Sequence, residues 1–135
     1  MAFLLDTNTC IQFLRHRESA VGLKLATVNY QDVVLCSVVK AELYYGVLRS
    51  LRPDQDMVTL RRFLANFISL PFDDRAAEEY GRIRAQLARQ GSLIGPKDLM
   101  IAAIALVNNA TLVTHNTREF RRVSDLQVVD WEEAS

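Results

Sequence analysis

Short apolar runs alternate with much longer helical stretches along this chain, and that alternation restricts the fold more than any other feature. Phe3-Leu4-Leu5, Val33-Val34-Leu35-Cys36 and Thr111-Leu112-Val113-Thr114 read as clear strands, Leu70-Pro71-Phe72 as a weaker one and Gln127-Val128-Val129 as a last edge strand. Strands joined through helices lie mainly parallel, because parallel neighbours need long crossover connections, and such sheets are covered on both faces. The expected fold class is α/β, with a central mainly parallel sheet between helical layers. Residues 1–135 are expected to form a single domain, since 135 residues with 50% hydrophobic content support one core and leave no room for a second.

The segments between the strands carry helix signals. Ile11, Leu14, Val21, Leu25 and Val28 fall at helical spacing with a polar break from His16 to Ser19, which predicts two helices. Ser37 is a good amino-terminal cap for a helix running to about Arg49. Pro53 suits the first turn of a helix reaching about Ile68, and Asp54 and Asp56 complement its positive end. Asp73 or Asp74 caps a helix that ends near Gln90, where Gly91 supplies a stop. After Gly95-Pro96, Leu99 to Val107 is apolar throughout, which implies a central helix buried on every side. The residues after Thr114 read as a polar turn.

Other features narrow the chemistry. Sixteen basic residues balance sixteen acidic ones, so nucleic-acid contact must come from a local patch rather than from the field of the whole molecule. Cys10 and Cys36 lie in apolar runs without the paired spacing of zinc or redox sites, and read as reduced core residues. No apolar run approaches membrane-spanning length and the amino terminus carries no targeting pattern, so a cytoplasmic location is expected. His16 and His115 lack metal-ligand spacing and read as surface residues. The five glycines form no phosphate-cradling loop, and no serine sits in a nucleophile elbow.

Four acids stand out by position. Asp6 ends the first apolar run, where alone it would serve as a helix cap. Glu42 falls on the helical face of Val39 and Tyr45, opposite Lys40, and an acid there is costly unless paired or bound to a metal. Asp98 opens the wholly apolar helix, where the dipole favours a carboxylate even without function. Glu119 lies just beyond a strand and alone would be a solvated loop acid. Together they can all face the carboxyl end of the sheet, where open α/β folds bind ligands. Carboxylates held close repel one another unless cations lie between them. Mg²⁺ takes oxygen ligands at about 2.0–2.1 Å and keeps several waters. Such a site activates water and stabilises a leaving oxygen, so the pattern predicts metal-dependent phosphoryl transfer.

Four ordered blocks then become specific: Leu4-Leu5-Asp6-Thr7-Asn8, Ala41-Glu42-Leu43-Tyr44-Tyr45-Gly46, the stretch from Ile94 to Ala102 around Pro96-Lys97-Asp98, and the stretch from Leu112 to Phe120 around His115-Asn116-Thr117-Arg118-Glu119. From Leu4 to Trp131 the chain resembles the PIN-domain family, and within it the VapC toxins of bacterial type II toxin–antitoxin pairs. The resemblance implies a three-layer α/β/α fold in which Asp6, Glu42 and Asp98 form the core acidic triad and Glu119 is the fourth acid, all four catalytic and metal-binding. Thr7 and Asn8 would orient Asp6 or metal-held water, and Thr114 would line the site. Many PIN domains carry an aspartate near Asn116, whereas here that side chain is neutral and Glu119 must supply the charge. The family implies a Mg²⁺- or Mn²⁺-dependent endoribonuclease acting on structured RNA, commonly transfer RNA. It also implies a homodimer and a VapB-type antitoxin that covers the groove, with operator DNA reached only through that antitoxin. Lys97, Arg118 and Arg121 flank the acids and are the candidate RNA contacts. The alternative is a catalytically silent PIN-like binding module, motivated by Asn116 and the zero net charge.

Overall fold

A computed structural model of the protein describes residues 2–133. Strands β1 (Phe3–Leu5), β2 (Val33–Cys36), β3 (Ile68–Leu70), β4 (Thr111–Val113) and β5 (Val128–Val129) form one sheet in the order β3-β2-β1-β4-β5, with every neighbouring pair parallel. Helices α1 (Thr7–Arg15), α2 (Ala20–Leu25), α3 (Ser37–Leu48), α4 (Pro53–Leu64), α5 (Asp74–Arg89), α6 (Pro96–Val107) and α7 (Thr117–Phe120) connect the strands, with a 3-10 turn at Tyr30–Asp32.

The chain starts at the middle of the sheet. It moves outward through β2 to β3, then returns across β1 to β4 and β5. Right-handed crossovers put α1 to α4 on one face and α5 to α7 on the other. Packing agrees: α1 lies on α3, α3 on α4, and α5 along α6. The direction of travel reverses between β1 and β4, and the carboxyl ends of those two strands therefore border a crevice.

Burial explains why these segments hold. All four residues of β2 are buried, as a strand covered on both faces requires. In α6, Leu99 and residues 101–105 are buried, and the alanines among them let the helix lie close to its neighbours. α5 is amphipathic instead, burying Ala76, Ile83 and Leu87 while Arg82, Arg84 and Arg89 are exposed. Phe13 of α1, Phe63 of α4 and Phe67 form a chain of rings with centroids 5.4 and 5.1 Å apart, tying the two helices on that face together. Cys10 and Cys36 are both free and fully buried.

Four boundaries differ from the sequence-based expectation. The weak strand is Ile68–Leu70, not Leu70-Pro71-Phe72: it pairs with β2 from Val34↔Ile68 to Cys36↔Leu70, and Pro71 falls just past its end. That pairing also stops α4 at Leu64 rather than near Ile68, and the Asn66 side-chain amide donates to the carbonyls of Arg62 and Phe63 at 3.0 and 3.3 Å. Cys36, not Ser37, occupies the cap position of α3, and no side chain closes that end. The polar turn after β4 contains the single-turn helix α7, so Glu119 is helical rather than a loop acid. Elsewhere the caps fall as expected: Asp73 accepts from the Ala76 amide at 2.9 Å, and Gly91 adopts φ +67°, the left-handed conformation that ends α5. Among the described residues no helix is long and apolar enough to cross a membrane.

Candidate active site

Asp6 stands at the carboxyl end of the central strand, one residue past β1. Its amide continues the sheet by donating to the Val113 carbonyl at 3.1 Å. Its side chain, 6% exposed as a residue, caps α1 by accepting from the Thr9 amide at 2.8 Å. The Thr9 hydroxyl in turn donates to the Val113 carbonyl at 3.3 Å. The buried Thr114 hydroxyl also bonds the Asp6 side chain, while accepting from the Asn116 amide at 3.0 Å. Burial raises the Asp6 carboxyl above the usual carboxylate range, against the hydrogen bonds from Thr114 and Thr9, and the Glu42 charge adds to the rise. The capping role and a place in an acid group thus coexist in one side chain.

The other three acids arrive on helices. Glu42, half-buried on α3, accepts from the Thr7 hydroxyl at 2.7 Å through Oε1 and lies 3.8 Å from the Lys97 ammonium through Oε2. Asp98 occupies the first turn of α6. Its carboxyl is pushed up to about 6 by burial and then by the charges of Glu119, Asp6 and Glu42, with Lys97 opposing. Glu119 on α7 accepts from the Asn116 side-chain amide at 3.2 Å. The four acids therefore act on one another at the crevice beside β1 and β4. Among the described residues, Lys97 is the one basic side chain within ion-pair reach of any of them.

Against known proteins, residues 3–126 match the family model for the PIN domain. The chain belongs to the PIN-domain family. It is 38% identical over 131 residues to a tRNA(fMet)-specific endonuclease VapC of Shigella flexneri, covering 97% of this chain and 98% of that one. A ribonuclease VapC2 of Rickettsia felis is 37% identical, with 98% and 99% covered. The crystal structure of VapBC2 from Rickettsia felis bound to a promoter DNA fragment superposes with a TM-score of 0.91 at 33% identity, covering 97% of this chain and 99% of that one. The chain is thus a VapC-type PIN domain, and its relatives there are named as ribonucleases.

Two further features surround the acids of this PIN domain. A cleft of about 1090 Å³ opens between α1, α3 and α4, and Thr7, Asn8, Glu42 and Lys97 stand at its acid end. Ile11 and Leu60 are among its apolar walls, so Glu42 joins the cleft to the crevice while Asp6, Asp98 and Glu119 lie outside the lining. Asn8 is exposed there and makes no side-chain hydrogen bond among the described residues. Arg118 and Arg121 are exposed on and just after α7, beside Glu119.

The second feature was not expected. His115 Nδ1 lies 2.9 Å from Asp130 Oδ2 and 3.9 Å from Glu132 Oε2. The three offer ligand atoms within 4.8 Å of one another, which no three of the four crevice acids do. His115 is on the surface as expected, but it is paired there. Asp130 holds His115 up, raising its pKa, and Asp130 Oδ1 also accepts from the Glu132 amide at 2.8 Å. Sequence reasoning missed this group and the role of Thr9. The latter was findable, because Thr9 lies three residues after Asp6, where a capping carboxylate finds its amide.

Proposed function

We propose that the chain is the toxin of a type II toxin–antitoxin pair, a Mg²⁺- or Mn²⁺-dependent endoribonuclease that hydrolyses phosphodiester bonds of structured RNA. Transfer RNA is the substrate class, following the named specificity of the Shigella flexneri relative. The full chain, residues 1–135, acts as one PIN domain, in the cytoplasm and as a homodimer. A VapB-type antitoxin neutralises it, as the VapBC assemblies among its structural neighbours suggest, and operator DNA is reached through that antitoxin.

The observation that carries this reading is the charge imbalance at the crevice. Beside burial, the charges of Glu119, Asp6 and Glu42 raise the proton affinity of Asp98, and that of Glu42 adds to the rise at Asp6, where a single ammonium stands nearby. The donor set consists of carboxylate oxygens, which suits a hard divalent cation. Their spacing, wider than that of the His115 group, suits an ion that keeps part of its water shell. When bound, such an ion supplies Lewis-acid polarisation of the phosphodiester and makes water a better nucleophile at neutral pH.

The chain's own residues do the rest. Asp6, Asp98 and Glu119 provide oxygen ligands from three separate elements, so the ion's position is set by the sheet end rather than by one flexible loop. Thr9 and Thr114 hold Asp6 in one orientation, Thr7 holds Glu42, and Asn116 holds Glu119. These bonds keep the carboxylates aimed at the crevice. Asn8 faces the cleft where RNA would enter. Lys97, Arg118 and Arg121 flank the acids and contact phosphate, positioning the strand without reading its sequence.

The test is cleavage of bulk transfer RNA by the purified protein with Mn²⁺. Wild type is expected to cut, and Asp6→Ala or chelation to abolish cutting. Undiminished cleavage in Asp6→Ala with chelator present would overturn the assignment.

A further inference from the structure

Glu42 differs from the other three acids in standing within ion-pair reach of a cation among the described residues. Oε1 accepts from Thr7 and Oε2 faces the Lys97 ammonium. Asp6, Asp98 and Glu119 have no cationic side chain in ion-pair contact among the described residues. Position 116 is an asparagine whose amide is spent on Glu119, so it brings no fifth carboxylate to the group. Two-ion phosphodiesterase centres hold their ions about 3.5–4 Å apart, which demands enough anionic ligands to screen two doubly charged ions from each other. Here three acids remain without an ion-pair partner among the described residues, and the fourth already has a cation.

Resting on the metal-dependent reading above, we propose that the Lys97 ammonium is a built-in cation on the Glu42 side of the site, so that the centre takes one divalent ion rather than two. Lys97 immediately precedes Asp98 in the first turn of α6. One helical turn thus delivers a ligand for the ion and the charge that stands in for a second. The Lys97 side chain is 69% exposed and flexible, so its ammonium can stay near Glu42 while donating to a phosphate oxygen of the bound strand. Lys97 is accordingly a positioning residue: it acts through Glu42 and through the charge count of the site.

The experiment is Mn²⁺ titration of the full chain, with bound ion counted by electron paramagnetic resonance in the absence of RNA. Wild type is expected to bind one Mn²⁺. Lys97→Met is expected to bind two, with second-ion affinity raised about tenfold because the competing charge about 4 Å from Glu42 is gone. Lys97→Arg keeps the charge and is expected to stay at one. Adding Glu42→Gln to Lys97→Met is expected to restore a single ion. Two ions of comparable affinity in wild type, or one ion in Lys97→Met, would overturn the proposal. Failure of wild type to bind Mn²⁺ at all would instead sink the metal-dependent reading on which it rests.

Discussion

At the end of β4 the chain turns one side chain, Thr114, inward to Asp6 and the next, His115, outward to Asp130. Two acid groups therefore sit side by side on the same edge of the sheet, and they are balanced differently. The outer group, His115 with Asp130 and Glu132, has its ligand atoms closest together, yet a protonated His115 offsets part of its charge and its hydrogen bonds are made. The inner group, Asp6, Glu42, Asp98 and Glu119, is spread more widely, but its members repel, and the Asp98 carboxyl is displaced to about 6. Proximity of ligand atoms is thus a poor guide to where a cation belongs. What distinguishes the two is whether the protein has already supplied the counter-charge.

That contrast sets the largest expected effect. Asp98→Ala is expected to weaken Mn²⁺ binding by at least ~10–100-fold, the loss typical for residues that hold or support a metal. His115→Ala should leave Mn²⁺ affinity unchanged, as read by calorimetry. Equal losses would erase the distinction between the groups.

A smaller effect, of opposite sign in the two groups, is expected in stability. In chelator at pH 7, Asp98→Asn should stabilise the fold by about 1–3 kcal/mol, because a carboxyl whose pKa rises on folding is destabilising while ionised. Asp130→Asn should destabilise it by about 1 kcal/mol through the weakened bond to the Glu132 amide. Denaturant melts of the two variants would decide this, and destabilisation by Asp98→Asn would contradict it.

The smallest effect is a pH dependence. The folded pKa of His115 is raised above the unfolded value of 6.5, so its pairing with Asp130 contributes fully below pH 6.5 and is lost as pH rises through the folded value. His115 is exposed, so salt should screen the contribution. The comparison is between melts of wild type and His115→Ala on either side of that window, where a difference growing toward high pH would contradict the sign.

Much of this architecture was legible in the sequence for identifiable reasons. Asp6 and Asp98 were readable because each adjoins a long apolar signal, a buried strand in one case and the α6 run in the other. The cap on α5 was readable because Asp73 and Gly91 are local chemistry. The end of α4 was not, because residues 65–68 have nothing that forbids a helix, and pairing of Ile68 with Val34 across the sheet decides the matter. α7 escaped because a single turn is too short to show a period. The His115 group escaped for a different reason: His115 and Asp130 meet only because β4 and β5 pair as Val113↔Val129, a register the sequence does not spell out. Asn116, which looked like a missing acid, turns out to hold the acid that is present.

The decisive measurement is RNA cleavage by wild type, Asp98→Ala and Asp130→Ala, assayed side by side on transfer RNA with Mn²⁺. The inner group is expected to carry the reaction: wild type and Asp130→Ala should cut at comparable rates, and Asp98→Ala should lose activity by ~10²-fold or more. Cleavage that survives in Asp98→Ala but vanishes in Asp130→Ala would place the chemistry at the outer group and contradict this account.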